Sequence, residues 1–297
     1  MAFTSQTVFF NDRARMTSTA FPTDRWAFLD SEWYRSASEP LLLAGWDPRE
    51  ARQAVLELWA AAVGFETNQA AKRFTTGCAG LLEGQPLQHL SGRVLFDGLW
   101  LKSDARALIP RPETEEMVVL AASETAEPLR ILDAMTGSGC LGIALARRYP
   151  QAEVWGFDQS EEALALAKEN AELHHSPLKL RPFDALNPDW SDFGVFDLVV
   201  SNPPYIPLSE IGTIDPGVLR HEPEAALFVP NDRPLLFIDA LRDQSVRGVL
   251  RIGGVLWIEL YPPLADDVLR RFGIGWKAEI RTDLSGKKRF LKALRTA

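Results

Sequence analysis

The feature that most constrains this chain is an alternation of short apolar strands with helical stretches from about Leu129 onward. Such an alternation folds into a mostly parallel sheet with helices on both faces. We therefore predict an α/β domain in the C-terminal part of the chain. Its strands are expected at Arg130–Asp133, Glu153–Asp158, Leu178–Arg181, Phe196–Ser201 and Gly254–Leu260.

The clearest predicted helix follows the second strand and spans Glu161–Leu173. Leu164, Ala167 and Ala171 lie at i, i+3 and i+7, which places them on one face of a helix. Ser160 stands directly before the helix as its expected N-cap. The pattern predicts an amphipathic helix that packs against the sheet.

The sequence before the sheet predicts a leader and a helical domain. Residues 1–22 lack periodicity, and we expect a loosely ordered leader there. Residues 23–85 are expected to form a helical domain, in which Asp47 and Pro48 have the character of an N-cap and a first-turn proline. This domain could be a packing module or a surface that docks a partner. Its apolar stripe is formed by Val55, Leu58, Trp59 and Ala62.

A hairpin is predicted between the two domains, in a linker over residues 86–107. Asp97 and Gly98 separate two β-prone runs, which is the pattern of a type I′ turn. Residues 108–297 then form the α/β domain, with a first helix expected to begin near Thr114.

The end of the first sheet strand carries the first functional signal. Asp133 is followed by Met135, Thr136, Gly137, Ser138 and Gly139 and then by a helix. Small residues between a strand and a helix let the backbone approach a ligand at the helix N-terminus. The second strand ends at Asp158, whose carboxylate can accept hydrogen bonds from ribose hydroxyls. Together they predict a nucleoside-type ligand.

This turn does not identify the nucleoside. Gly137, Gly139 and Gly142 satisfy the G-x-G-x-x-G spacing of dinucleotide-binding folds. A dinucleotide and S-adenosylmethionine therefore both remain open from the turn alone.

The fourth strand decides between them, because it runs directly into Asn202-Pro203-Pro204-Tyr205. Two prolines fix the directions of the nearby carbonyls, and the Asn202 side chain offers a further acceptor. The Tyr205 ring can lie against a flat group. We interpret the segment as a binding site for the –NH2 group of an amide or aromatic amine. Positioning and electrostatics would then favour transfer of a methyl group to that nitrogen by direct displacement.

Six motifs together give the chain a family resemblance. They are Leu108–Thr114 (LIPRPET), Thr136–Gly139, Asp158 with Asn170-Ala171, Ser201–Pro207 (SNPPYIP), Glu222–Leu227 (EPEAAL) and Asp283–Arg289 (DLSGKKR). From about Pro86 onward the chain resembles the glutamine N5-methyltransferases of peptide chain release factors, the PrmC/HemK family. Asn-Pro-Pro-Tyr alone also occurs in adenine-N6 methyltransferases, whereas LIPRPET and EPEAAL are more specific to this family.

The resemblance implies a seven-stranded, Rossmann-like class I methyltransferase domain joined by a β-hairpin to a small N-terminal helical domain. It implies S-adenosylmethionine as cofactor and the Gly-Gly-Gln tip of a class 1 release factor as substrate. The implied cofactor-binding residues are Met135, Thr136, Gly137, Ser138, Gly139, Asp158, Phe183, Asp184, Ala185 and Asn202. The implied catalytic residues are Asn202, Pro203, Pro204 and Tyr205, which together with Arg111, Pro112 and Glu113 also form the implied substrate site.

Two residues depart from the family pattern. Met135 stands where the family usually has glycine, and Tyr261 stands where it tends to have a small residue. A side chain at residue 135 could crowd the cofactor or displace the turn. We expect weakened or shifted cofactor binding, while binding of the substrate amide at Asn202–Tyr205 is unaffected.

Composition bears on the competing functions. The formal net charge of −8 opposes adenine-N6 methylation of nucleic acid, which needs a basic groove, and we expect no stable nucleic-acid partner. Two distant cysteines and four isolated histidines predict no metal site. With no long apolar run, we expect a cytoplasmic monomer without a membrane partner. Glutamine methylation of another translation protein and cofactor binding without catalysis both stay open.

Overall fold

The computed structural model describes residues 20–125 and 127–297. The predicted leader therefore lies outside the described residues, except for its last three positions. The chain divides into two compact units with the boundary between Gly92 and Arg93.

The first unit is helical, as predicted. The Asp47 carboxylate caps the third helix by accepting hydrogen bonds from the backbone N–H groups of Arg49 and Glu50, and Pro48 occupies the first turn. Of the predicted stripe, Val55, Leu58 and Ala62 are buried, and the half-buried Trp59 donates its indole N–H to the Pro22 carbonyl (2.8 Å). The helices are α1 (Arg25–Leu29), α2 (Glu32–Leu43), α3 (Pro48–Ala62), α4 (Thr67–Leu82) and α5 (Leu87–Ser91).

The second unit begins with the predicted hairpin, β1 (Arg93–Phe96) and β2 (Leu99–Lys102). Asp97 and Gly98 have φ of 47° and 75°, the left-handed conformation that a type I′ turn requires at both positions. The side chains of Phe96 and other apolar hairpin residues lie in the core of the second unit. The hairpin is thus part of this unit's packing.

A seven-stranded sheet forms the centre of the second unit, in the order β10-β11-β9-β6-β3-β4-β5. Strands β9, β6, β3, β4 and β5 are parallel, and β11 runs antiparallel to both of its neighbours. The strands are β3 (Arg130–Ala134), β4 (Glu153–Asp158), β5 (Lys179–Pro182), β6 (Phe196–Ser201), β9 (Leu250–Glu259), β10 (Trp276–Thr282) and β11 (Lys288–Arg295).

Helices cover both faces of this sheet, and a short parallel pair, β7 (Ile206–Pro207) with β8 (Phe228–Val229), follows the end of β6. Ser160 caps α8 by accepting a hydrogen bond from the Ala163 N–H, as predicted. The helices are α6 (Pro112–Glu124), α7 (Cys140–Arg148), α8 (Glu161–Leu173), α9 (Pro216–His221), α10 (Leu236–Gln244) and α11 (Ala265–Arg271).

The predicted strands are confirmed within a few residues, apart from the start of the fifth. The observed strand β9 begins at Leu250, which pairs with Phe196 of β6. Two residues further along β6, Leu198 pairs with Val255, so β9 carries extra residues at this point. The extra residues form an irregularity around Gly253, whose φ is 79°. This interruption hides the beginning of the strand from a periodicity argument.

The sheet topology determines where a ligand can bind. The chain passes from β3 through β4 to β5 on one side, then returns to β6 on the other side of β3. A crevice forms where neighbouring connections leave in opposite directions, beyond the carboxyl ends of the strands. Ala134 at the end of β3 and Ser201 at the end of β6 flank this point, and the Ser201 hydroxyl donates to the Ala134 carbonyl (2.7 Å).

Candidate active site

The backbone conformation of the turn after β3 depends on its glycines. Gly137 and Gly139 have φ of 54° and 82°, which favours glycine at both positions. A Cβ on Gly139 would lie 3.1 Å from the Cβ of Ala167, so a side chain there would crowd helix α8. No described atom lies within 4 Å of a Cβ built on Gly137. The Gly137 backbone is therefore open to close approach by a ligand.

Asp158 joins this turn to the end of β4. Its Oδ2 accepts the N–H of Gly137 and its Oδ1 accepts the N–H of Ser160, each at 2.9 Å. Burial raises the pKa of Asp158, while these backbone hydrogen bonds act in the opposite direction. Each carboxylate oxygen keeps a further lone pair that can accept from a ligand hydroxyl.

Asp133 is a second anchor of the turn, and sequence reasoning did not single it out as a site residue. Its side chain is fully buried, and its Oδ2 accepts hydrogen bonds from the Thr136 hydroxyl and from the Gly142 N–H (2.8 Å). Its Oδ1 has no hydrogen-bond partner among the described residues. Burial raises the pKa of Asp133 to about 7. The signal available in the sequence was an acidic residue directly after the apolar pair Ile131-Leu132 of this strand.

Replacing Asp133 with asparagine is expected to change how stability depends on pH. Between a pH of about 4, the ordinary value for aspartate, and about 7, the folded chain holds a proton that the unfolded chain has lost. The stability from this proton is complete below about pH 4 and is lost as the pH rises through about 7. In Asp133→Asn the amide oxygen can accept from Thr136 and Gly142, and the group does not titrate.

We therefore expect the difference in unfolding free energy between Asp133→Asn and the parent chain to shift in favour of the variant when the pH is raised from 5 to 8. The expected gain is about 3 kcal/mol at most, at about 1.4 kcal/mol per pH unit. Urea unfolding of both ligand-free proteins at the two pH values measures it. Parallel pH profiles for the two proteins would contradict the assignment of this titration to Asp133.

A cleft of about 970 Å³, including its open mouth, lies beyond β3, β4 and β6. It carries two carboxylates, Asp158 and Asp184, while Arg106 beside them is paired with Asp104 (2.8 Å) and Glu169 (2.7 Å). Of the predicted site residues, those that line the cleft are Met135, Thr136, Gly137, Ser138, Asp158, Asp184, Ala185, Asn202 and Pro204.

The remaining predicted residues lie outside the lining of this cleft. Phe183 packs in an aromatic cluster, with its ring 5.3 Å from that of Phe157. Gly139 lies under helix α8, and Pro203 is buried. The others lie at the start of helix α6 or shortly after the end of β6, and they are Arg111, Pro112, Glu113 and Tyr205.

Asn202 is connected to β9 by a chain of side-chain hydrogen bonds. Its Nδ2 donates to Thr114 Oγ1 (3.1 Å), and that hydroxyl donates to Glu259 Oε2 (2.7 Å). The Tyr205 hydroxyl donates to the other oxygen of the same carboxylate, Oε1 (3.0 Å). Neither Thr114 nor Glu259 was predicted to have a role in this site, because 145 residues separate them along the chain.

Comparison with known proteins places this site in a family. Residues 117–212 match the Methyltransferase small domain. A release factor glutamine methyltransferase of Deinococcus radiodurans is 43% identical over 218 residues, which cover 71% of this chain and 74% of that protein. The chain belongs to the release factor glutamine methyltransferase family. Proteins of the same name from Bacteroides thetaiotaomicron and Chlorobaculum tepidum are 37% and 41% identical, over 72% and 67% of this chain and 78% and 71% of theirs.

Membership of the release factor glutamine methyltransferases confirms the resemblance drawn from the sequence motifs. In this family member the LIPRPET and EPEAAL motifs meet. Glu222, whose side chain is completely buried, accepts from the Ile109 N–H (3.0 Å) and forms an ion pair with Arg111 (2.7 Å). The two motifs thus hold the segment that leads into helix α6.

Met135 adopts a backbone conformation that is unusual for a residue with a side chain. Its φ is 59°, a region that L-residues other than glycine occupy at a cost of about 1 kcal/mol. The side chain lines the cleft and also packs against the core on one face of the sheet. The strained conformation of Met135 is therefore held by the packing of its side chain.

Tyr261, the second departure from the family pattern, extends the polar network at the end of β9. Its ring lies nearly parallel to that of Tyr205, at 12° and with centroids 6.4 Å apart. Burial, followed by the charge of Glu210 and a hydrogen bond to it, raises the Tyr261 pKa.

Two kinds of site are absent from the described part of this family member. None of its helices is long and apolar enough to cross a membrane. Within residues 20–125 and 127–297, no group of three or more histidine, cysteine, aspartate or glutamate side chains could hold a metal ion.

Proposed function

We propose that this chain transfers a methyl group from S-adenosylmethionine to the side-chain nitrogen of the Gly-Gly-Gln glutamine in a class 1 release factor. Membership of the family supports the reaction. The observation that carries the proposal is that Asn202 lines the same cleft as the glycine turn and Asp158. A nitrogen held at Asn202 and a nucleoside held at Asp158 would share one enclosed space.

The residues of the cleft are compatible with S-adenosylmethionine. The open backbone at Gly137 allows the close approach that the methionine part needs, and Asp158 can accept from the ribose hydroxyls. The carboxylates of Asp158 and Asp184 favour a ligand with positive charge. We assign Ala185 and Asp184 to the neighbourhood of the adenine, with Phe183 supporting them from behind.

When bound, the cofactor supplies an electrophilic methyl carbon. With the cofactor held at Gly137 and Asp158, this methyl carbon would pass to the glutamine nitrogen by direct displacement, the sulfur would keep the electron pair of the carbon–sulfur bond, and one N–H proton would pass to water. The amide is a poor nucleophile, since its lone pair is delocalised. The Asn202 side-chain oxygen and the Pro203 carbonyl would accept from its two N–H groups and hold the nitrogen in line with the methyl carbon. The Tyr205 ring would lie against the amide plane.

The substrate side of the site is assigned to the first turn of α6. Arg111, Pro112 and Glu113 precede Thr114, which contacts Asn202 directly. The Arg111 side chain is fixed by Glu222. A segment held this firmly can present its backbone and side chains to a peptide loop without first becoming ordered.

The experiment that tests the function is mass spectrometry of a release-factor peptide after incubation with the enzyme and S-adenosylmethionine. We expect one additional methyl group on the Gly-Gly-Gln glutamine and none on a release factor in which this glutamine is replaced by alanine. A release factor that stays unmodified, while DNA, RNA or another translation protein gains the methyl group, would refute the proposal.

Met135 leads to a prediction about cofactor affinity. In Met135→Gly the strained conformation is relieved and the side chain leaves the cleft, so we expect the Kd for S-adenosylmethionine to fall about three- to ten-fold, an energy of about 1 kcal/mol. Stability should change little. The relief of strain in the folded chain is offset by the greater conformational freedom that glycine gives the unfolded chain, which disfavours folding by about 0.5–1 kcal/mol. Calorimetric titration and thermal melting measure the two effects. Weaker binding by the variant would show that methionine here supports the cofactor site.

A further inference from the structure

An asparagine side chain can face a substrate with its oxygen or with its amino group. Only the oxygen can accept a hydrogen bond from the N–H of a substrate amide. A site that depends on Asn202 as an acceptor therefore needs something that fixes which end of the carboxamide faces the cleft. The contacts behind Asn202 provide it.

Glu259 is the origin of this control. It is the last residue of β9, is 1% exposed, and receives hydrogen bonds on both oxygens. Thr114 donates to Oε2 at 2.7 Å and Tyr205 donates to Oε1 at 3.0 Å. An ionised carboxylate accepts hydrogen bonds and cannot donate them. When Glu259 is ionised, both hydroxyl protons therefore point toward its carboxylate.

The direction of the Thr114 proton decides the orientation of Asn202. A hydroxyl has one proton, and since that of Thr114 is given to Glu259, the side of Oγ1 that faces Asn202 presents a lone pair. A lone pair can be met only by the amino end of the carboxamide, in agreement with the Nδ2–Oγ1 distance of 3.1 Å. The Asn202 oxygen is consequently turned away from Thr114.

We propose that Glu259 and Thr114 are positioning residues that hold the Asn202 carboxamide with its oxygen toward the substrate amide, while Glu259 also fixes the Tyr205 ring. This inference rests on the proposed function, because it assigns the Asn202 oxygen a substrate to hold. Three segments far apart in sequence are thereby set by one carboxylate: the start of α6, the loop after β6, and the end of β9.

The charge around Glu259 is consistent with an accepting role. Burial raises the pKa of Glu259, and this effect outweighs the hydrogen bonds from Thr114 and Tyr205 and the charge of Arg289, which act in the opposite direction. Arg289 is itself held by the buried Asp283 (3.1 Å) and lies 3.8 Å from Glu113. Two donors and a nearby cation thus stabilise the ionised form of this buried carboxyl group, and the positioning role applies at pH values above its pKa.

The first test replaces Thr114 by valine, which keeps the shape of the side chain and removes the hydroxyl. We expect kcat for release-factor methylation to fall about ten- to thirty-fold, with the KM for the release factor and the Kd for S-adenosylmethionine changed less than about three-fold. Thr114→Ser keeps a hydroxyl and should retain most of the activity. Thr125→Val is the matched control at the end of the same helix, because the Thr125 hydroxyl is buried without a hydrogen-bond partner among the described residues.

The second test replaces Glu259 by glutamine, which puts an amino group against Thr114 or Tyr205. We expect at least as large a loss of kcat, and Thr114→Val/Glu259→Gln should be little worse than Glu259→Gln alone, because Thr114 acts through the same chain of hydrogen bonds. Thermal melting and cofactor titration of each variant identify any loss caused by unfolding. If the kcat losses of the two single variants multiply in the double variant, the proposal is overturned, even if a variant is destabilised.

The outcomes separate this inference from the function on which it rests. If the parent enzyme does not methylate the release factor, the proposed function fails. If the parent enzyme is active and Thr114→Val, folded and binding cofactor, keeps its full kcat, the function stands and the positioning role fails. A serine variant as slow as the valine variant would likewise exclude the hydroxyl as the reason.

Discussion

Replacing Asn202 with alanine is expected to lower kcat for release-factor methylation by about 10²–10³-fold, the loss seen when one preorganised hydrogen-bonding group is removed from a reacting centre. The side chain lines the cleft, and its amino group is already held by Thr114. Its oxygen is therefore preorganised before substrate arrives. Single-turnover methylation with saturating cofactor measures the chemical step directly.

Asn187→Ala provides a control with the same change of side chain. Asn187 lies in an exposed loop, where its side chain accepts a hydrogen bond from the Asp189 N–H (3.0 Å). We expect this variant to methylate at the rate of the parent enzyme. An unchanged rate in Asn202→Ala would remove the assigned role, and an increased KM with unchanged kcat would show that Asn202 only helps to bind the substrate.

Asp158→Asn is expected to weaken S-adenosylmethionine binding on the order of 10²-fold. Both oxygens of Asp158 accept backbone N–H groups, so an amide there must turn its amino group toward Gly137 or Ser160. One donor then meets another, and a hydrogen bond to a charged group, worth about 1.5–3 kcal/mol, is lost. The turn that carries Gly137 loses its support at the same time. Calorimetric titration with the cofactor gives the Kd.

The exposed Asp192 offers the matched control for Asp158. Its ion pair with Arg181 has an N–O distance of 3.1 Å, and the aspartate side chain is 76% exposed. Exposed pairs of this kind contribute little, so Asp192→Asn should bind the cofactor like the parent enzyme. Binding by Asp158→Asn within about three-fold of the parent value would place the ribose contacts elsewhere in the cleft.

The parts of the fold that sequence predicted are those with local signals. Ser160 and Asp47 cap helices through contacts only two or three residues away, and Asp97-Gly98 forms its turn from its own backbone preferences. The regular central strands are continuous apolar runs. Strands β10 and β11 were not predicted from the pattern, because their apolar residues are interrupted by charged ones such as Lys292, which pairs with Glu124 (2.7 Å). They were expected only from the family resemblance.

The site was predicted in part for the same reason. The cleft residues follow strand ends in the sequence, so they could be identified by their place after a predicted strand. The supports behind them are long-range contacts: Thr114 with Glu259, and Ile109 with Glu222. The sequence did carry one signal, since Glu259 is an acidic residue within the otherwise apolar run Gly254–Leu260. A buried charge requires partners, but only the folded structure shows which residues they are.

The acidic lining of the cleft has a consequence for the turnover of the enzyme. In the proposed reaction the methyl donor binds with a positive charge on its sulfur and leaves as a neutral thioether, whereas the acidic side chains of Asp158 and Asp184 are not consumed. Arg106 is already neutralised by Asp104 and Glu169 and does not offset them. The attraction that draws the fresh donor in is therefore weakened by the reaction itself, and we expect the spent donor to be released more easily than it would be from a neutral cleft.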